Sequence, residues 1–170
     1  MADNTGPRFS TADLHDAQPD EVAVLDLQFL SFGQHRCFFG PVETLQVFSD
    51  HSAVRDAMKT PGEGRVLVVD GGTDLNTGIM GDQIGANAVK NRWAGAVLIG
   101  AVRDTMALDA LPIGIRALGT TARRSNLERA GHRGLMLHVG GVCISPGDWL
   151  YADEDAVLIA KRPLSLPEVS

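Results

Sequence analysis

Apolar residues in this chain fall in short blocks, and the spacing within each block predicts an element. Residues 65–70, Arg-Val-Leu-Val-Val-Asp, and 96–99, Ala-Val-Leu-Ile, are unbroken apolar runs. Such runs read as strands buried on both faces, as in a parallel sheet. Between them, residues 82–94 repeat apolar positions at helical spacing, with Ile84, Ala88 and Trp93 on one side. Residues 71–81 are a glycine-rich loop. The centre of the chain therefore reads as a β–α–β unit.

The flanks are shorter. Ser10 or Thr11 can cap a helix running to residue 17, with Asp13 in its first turn, and Gln18-Pro19-Asp20 ends it. Residues 24–32, 36–39 and 42–48 read as strands, and 52–59 as a helix stopped by Thr60-Pro61-Gly62. A short helix over 105–110 and a strand over 115–118 follow. From residue 135 the pattern is all strand (135–139, 142–144, 149–151, 156–160). Gly140-Gly141, Ser145-Pro146-Gly147-Asp148 and Asp153-Glu154-Asp155 mark the turns. The expectation is one mixed α/β domain over 1–170, with a core of about 11–160 and a polar, frayed tail at 163–170.

Composition narrows the function. Fifteen Lys+Arg against 21 Asp+Glu give a net charge of −6, which argues against direct nucleic-acid binding. No apolar run approaches the roughly 18 residues of a membrane span, and the first ten residues lack a signal-peptide layout, so the expected location is the cytoplasm. Cys37 and Cys143 are far apart and read as core thiols. No two of the five histidines stand at i, i+4, so local spacing offers no His-based metal site. Glycine is the outlier: 19 in the chain, 16 of them between Gly62 and Gly147. Nucleotide-binding patterns, G-x-G-x-x-G or G-x-x-x-x-G-K-[ST], are absent.

The chemistry concentrates at the ends of the β–α–β unit. A helix over 83–94 spans about 18 Å at 1.5 Å per residue. A strand over 95–100 returns about 20 Å at 3.3 Å per residue. Arg103 and Asp104 should therefore lie beside Gly81 and Asp82, at the carboxyl end of a buried strand, where α/β sheets bind ligands. The first amides of the helix, Gly81, Asp82, Gln83 and Ile84, favour an anion such as a carboxylate. Arg103 offers a planar fork for a carboxylate or a carbonyl oxygen. Asp104 and Asp82 are hard oxygen ligands suited to Mg²⁺ or Mn²⁺. Together they describe a site for a small 2-oxo acid and a divalent metal cation. The blander reading is that Asp82 merely complements the helix dipole and Arg103–Asp104 is a surface ion pair. Arg123-Arg124 reads as a solvated loop that could also face an anion. Met80 fits either pocket or core, Trp93 packs the helix end, and His138 points to the interior or a subunit contact.

Arg65 to Gly72, Gly81-Asp82, Gly100-Ala-Val-Arg-Asp104, Ala117-Leu-Gly-Thr-Thr121 and Val142-Cys-Ile-Ser-Pro-Gly-Asp148 together resemble the RraA-like family. That family holds the regulator of ribonuclease E activity A and the 4-hydroxy-4-methyl-2-oxoglutarate aldolases. The resemblance runs from about residue 11 to 159. Its catalytic members carry an Asp, twenty residues, then Arg-Asp; here residues 83–102 are those twenty.

The resemblance implies a swivelling β/β/α domain with a mixed sheet, assembled as a ring-shaped homotrimer that can pair into a hexamer. It implies a class II pyruvate aldolase, dependent on a divalent metal, that also decarboxylates oxaloacetate. Carried over, Asp104 holds the metal and Arg103 contacts substrate. The backbone of Gly81, Asp82, Gln83 and Ile84 binds the substrate carboxylate, and Asp82 positions a water. Longer members complete the site with a carboxylate from a C-terminal extension, for which this chain offers only Glu168. No lysine falls in the motif, and Lys90 lies mid-helix, so a Schiff base is disfavoured. A methyltransferase reading lacks a glycine-rich strand–loop–helix at the N-terminus. The alternative function is regulatory: an acidic ring docking on basic segments of a ribonuclease E-type protein, without catalysis and without touching RNA.

Overall fold

A computed structural model describes residues 8–166. In chain order the elements are α1 (Thr11–Ala17), β1 (Val22–Val24), β2 (Leu30–Phe32), β3 (Phe38–Gln46), α2 (Ser52–Met58), β4 (Val66–Asp70), β5 (Gly78–Met80) and α3 (Asp82–Lys90). There follow β6 (Gly95–Val102), α4 (Thr105–Asp109), β7 (Gly114–Thr120), β8 (His132–Arg133), β9 (Leu137–Val139), β10 (Val142–Ile144), β11 (Trp149–Ala152) and β12 (Val157–Ala160). The main sheet is mixed, in the order β1-β12-β11-β3-β4-β6-β7-β2. Its centre, β3, β4, β6 and β7, is parallel, and the strands at both ends are antiparallel. The mixed α/β class read from the sequence holds.

The apolar runs explain the layers. In β4, Leu67 and Val69 face α2, α3 and α4, which supply Val54, Met58, Ile84, Ala88 and Leu108 to one core. Val66 and Val68 face the other way, packing with Phe38, Val97 and Ile99 against the antiparallel strands and the β9–β10 hairpin. Both faces of β4 and β6 are therefore covered, as unbroken apolar strands require. A third cluster seats Leu14 of α1 on Tyr151 and Leu158.

Several boundaries move, each for a visible reason. Residues 36–39 and 42–48 join as the single strand β3, running through Gly40-Pro41. A Cβ at position 40 would stand 2.2 Å from the Gly64 carbonyl oxygen, so glycine alone fits there. Helix α3 stops at Lys90 rather than 94, because Arg92 turns left-handed (φ 61°) and the Trp93 amide reaches back to the Ala88 carbonyl. The expected loop 71–81 contains β5, three residues too few for a periodic signal. Strand β6 runs on to Val102, since β5 and β7 flank its end.

The thiols are not core residues: Cys37 is half-buried and Cys143 exposed, with Sγ 3.5 Å from both ring nitrogens of an exposed His138. The part of the expected tail that is described is not frayed. Leu164 and Leu166 pack on the third cluster, and the Leu164 amide donates to the Tyr151 hydroxyl at 2.8 Å. Glu168 lies outside the described residues. Among those described, no helix is long and apolar enough to cross a membrane.

Candidate active site

Strand β5 is the hinge of the site. It pairs with the far end of β6, Gly78 against Ala101 and Met80 against Val102, and the Arg103 amide donates to the Met80 carbonyl at 3.0 Å. The end of one strand is thus tied to the residue before a helix start, and Arg103 and Asp104 land beside Gly81 and Asp82. Met80 serves both readings, buried in the core and lining the cleft.

The contacts are close. Asp104 Oδ2 accepts from the Asp82 amide at 3.4 Å and lies 3.4 Å from Arg103 Nε. The Asp82 carboxylate accepts from the Gln83 amide at 2.8 Å. Two of the four expected carboxylate-binding amides therefore already hold acids, and an incoming carboxylate would exchange with them. A Cβ at position 81 would stand 2.6 Å from Asp104 Oδ2, and one at position 78 only 3.1 Å from Arg103 Cγ. These two glycines make room for the charged pair. Asp104 adopts φ 58°, ψ 41°, a left-handed conformation that Asp tolerates better than most residues.

These residues line a cleft of about 350 Å³. Asp82, Arg103 and Asp104 also line a second, open hollow of about 640 Å³ with Met106 and Thr120 to Ala122. The cleft has a wall that sequence reasoning missed, His51, Arg55 and Lys59 of the α2 segment and Asn87 of α3, completed by Arg124, which the sequence left between a solvated loop and an anion contact. A signal was present, since positions 51, 55 and 59 follow the four-residue spacing that aligns one helix face. Arg124 is placed by a backbone bridge to Gly78, while the Gly78 amide donates to the Arg123 carbonyl.

Charge on this wall is unevenly spent. Arg55 is paired with Asp56 at 2.9 Å and Glu128 at 3.3 Å. Behind it, His51 Nδ1 lies 3.5 Å from the buried Asp50 carboxylate, and it is the one buried side-chain polar atom without a hydrogen bond among the described residues. Burial pushes the Asp50 carboxyl up, but the Ser52 hydroxyl and the amides of Arg129, Ser52 and His51 together outweigh it and hold the group below its ordinary value.

The described residues gather no cluster of three His, Cys, Asp or Glu that would cage a metal. What the site offers is two carboxylates on an accessible rim, with Asp104 about one-third exposed. That donor set suits a Mg²⁺-type ion, which binds one or two carboxylates and keeps waters and substrate as its other ligands.

The RraA-like family model, described as Aldolase/RraA, matches residues 11–159. A protein of Laribacter hongkongensis is 49% identical over 156 residues, covering 92% of this chain and 98% of its own length. One of Arabidopsis thaliana is 40% identical over 163 residues, covering 93% and 98%. Both are named as candidate 4-hydroxy-4-methyl-2-oxoglutarate aldolases. The solved structure of the RNA-processing inhibitor RraA from Thermus thermophilis superposes with a TM-score of 0.88 at 42% identity, covering 94% of this chain and 96% of that one. A Geobacillus kaustophilus structure described as an S-adenosylmethionine:2-dimethylmenaquinone methyltransferase gives 0.88 at 41%, covering 91% and 96%.

Proposed function

The chain belongs to the RraA-like family, and from that premise we propose that it is a divalent-metal-dependent class II pyruvate aldolase that cleaves 4-hydroxy-4-methyl-2-oxoglutarate to pyruvate and also decarboxylates oxaloacetate. The observation that carries this reading is the β5–β6 pairing, which sets Asp82, Arg103 and Asp104 on one cleft rim.

Asp104, with Asp82 beside it, would hold the Mg²⁺ or Mn²⁺. When bound, that cation supplies Lewis acidity toward the 2-oxo group and its carboxylate. The amides of Gly81 to Ile84 receive the substrate carboxylate at the start of α3. Arg103 places its guanidinium where negative charge develops on the carbonyl oxygen as the C3–C4 bond breaks. That charge is larger in the transition state than in the ketone, so the interaction accelerates the step rather than only tightening binding. Asp82 holds the water that takes and returns the proton. Among the described residues no lysine lines this rim except Lys59 on the far wall, and Lys90 is exposed at the end of α3.

The test is direct. With Mg²⁺ or Mn²⁺, the protein should cleave the aldol and decarboxylate oxaloacetate. EDTA should abolish both, and added Mg²⁺ should restore them. Activity unchanged by EDTA would refute the metal dependence.

The likeness to the Thermus RraA supports a second reading, in which a ring-shaped trimer or hexamer restrains a ribonuclease E-type protein by binding it. A salt-sensitive complex that Asp104→Ala leaves intact would support it. Light scattering would read the oligomeric state.

A further inference from the structure

His51 lines the same cleft as Asp82, Arg103 and Asp104, and the chemistry assigned to those three does not use it. It stands at the N-cap of α2, yet its side chain makes no capping hydrogen bond. Its Nδ1 is buried and without a hydrogen bond, and it faces Asp50 Oδ1 at 3.5 Å. A polar atom left so beside a buried carboxylate calls for an explanation.

Asp50 is built to stay an anion. Its Oδ2 accepts from the Ser52 hydroxyl at 2.6 Å and from the Arg129 amide. Its Oδ1 takes only the Ser52 amide, at 3.4 Å, and so keeps acceptor capacity toward His51. Burial pushes the carboxyl up, but the Ser52 hydroxyl and the surrounding amides hold it below its ordinary value. An ionised carboxylate can only accept, so it selects the imidazole tautomer with its proton on Nδ1. The Nε2 lone pair is then free. With Nδ1 turned inward to Asp50, the ring edge that carries Nε2 is the one that meets the cleft. This is the arrangement by which a buried Asp orients a catalytic imidazole. A separation of 3.5 Å suits a site without substrate, where such contacts are long and tighten on binding.

Aldol cleavage needs this group. The substrate's 4-hydroxyl must lose a proton, and water alone is a weak place to keep it. Resting on the aldolase reading, we propose that His51 Nε2 stores that proton, receiving it through the water at Asp82 and returning it to the product. The O–H bond breaks, and its electron pair forms the carbonyl of the departing fragment. The C3–C4 pair passes to C3 as enolate, while the proton makes His51 an imidazolium held against Asp50. C3 then takes a proton back through the same water, and the imidazole is neutral again. Oxaloacetate decarboxylation has no hydroxyl proton to remove, so it depends on His51 less.

The experiment measures aldol cleavage with Mg²⁺ in wild type, His51→Ala and the space-filling His51→Gln. Both variants should lose about 10² in kcat for cleavage, the scale of removing one acid–base group. The ratio of cleavage to oxaloacetate decarboxylation should fall at least tenfold. Free imidazole should restore cleavage in His51→Ala with saturation, which a merely structural role would not allow. Cleavage within about threefold of wild type in both variants, or a loss in His51→Ala that imidazole leaves unchanged, overturns the role of His51 alone. Wild type inactive toward both substrates overturns the aldolase reading and this role with it.

Discussion

Asp104 presents its carboxylate from a backbone with φ 58°, a conformation that costs an ordinary L-residue roughly 1–2 kcal/mol. Strain of this kind persists where geometry at a site is worth more than stability. Asp104→Ala should lower aldolase activity by about 10² or more, the scale of losing a group that stabilises developing charge. Asp104→Gly should be equally inactive yet more stable than Asp104→Ala by about 1 kcal/mol in urea unfolding, because glycine bears no left-handed penalty. Equal stabilities would show that position 104 is unstrained. Gly81→Ala should fold but lose activity, since its Cβ would meet Asp104 Oδ2 at 2.6 Å. Behind the cleft, Asp50→Asn removes an anionic acceptor from Ser52 and Arg129 and should cost roughly 1–3 kcal/mol at neutral pH. The folded pKa of Asp50 is depressed. Its contribution is therefore complete above the unfolded carboxyl value of about 3.9 and is lost as pH falls through the folded value. The gap between wild type and Asp50→Asn should shrink on acidification toward pH 3, and a widening gap would refute this account. At this scale the sequence was informative about one chain segment: the matched lengths of the predicted helix over 83–94 and strand over 95–100 forecast that Arg103 would meet Asp82. For His51, Arg55 and Lys59 it gave only their four-residue spacing, and basic residues on a helix face look the same whether they meet solvent or line a cavity.

Elements were legible where burial is two-sided. The runs at 65–70 and 96–99 announce β4 and β6 without any periodicity, because apolar residues must face both layers. Short pieces at the site were not legible. Three residues of β5, two of them apolar, cannot be told from loop, and β5 is what ties Arg103 to Met80. The joining of two predicted strands into β3 depends on close packing that only tertiary structure reveals. Phe38, at its start, wedges its ring between Gly95 of β6 and Gly114 of β7. A Cβ at these positions would stand 2.4 Å and 2.0 Å from ring carbons, and Arg116 stacks on the ring at 5.2 Å. Gly114→Ala should therefore destabilise the fold by roughly 1–3 kcal/mol, the range for overpacked cores. Combining it with Phe38→Leu should cost less than the sum of the two single changes, since both act on one space. Additive effects in a double-mutant cycle would show that the ring is not the obstacle.

For the whole molecule, composition argues against a nucleic-acid partner, yet the acidic chain sets three basic side chains, Arg55, Lys59 and Arg124, on one cleft. An anionic substrate is repelled by the bulk and attracted at the mouth. The kcat/KM for 4-hydroxy-4-methyl-2-oxoglutarate should fall as ionic strength rises from about 0.01 M to about 0.15 M, where the screening length shortens from roughly 30 Å to 8 Å. A rate that rises with salt would mean that the net charge dominates. The topology has a further consequence, for synthesis. Strand β3 pairs on one side with β4, made soon after it, and on the other with β11, where Trp149 lies opposite Pro41, 108 positions earlier. Every residue lining the two hollows precedes position 125. While the chain is still leaving the ribosome, those residues are complete, but the outer edge of β3 and the apolar face of β4 and β6 have nothing to cover them. Open strand edges of this kind invite pairing with other chains. Residues 137–160, which line neither hollow, therefore decide how long the nascent protein stays exposed to aggregation.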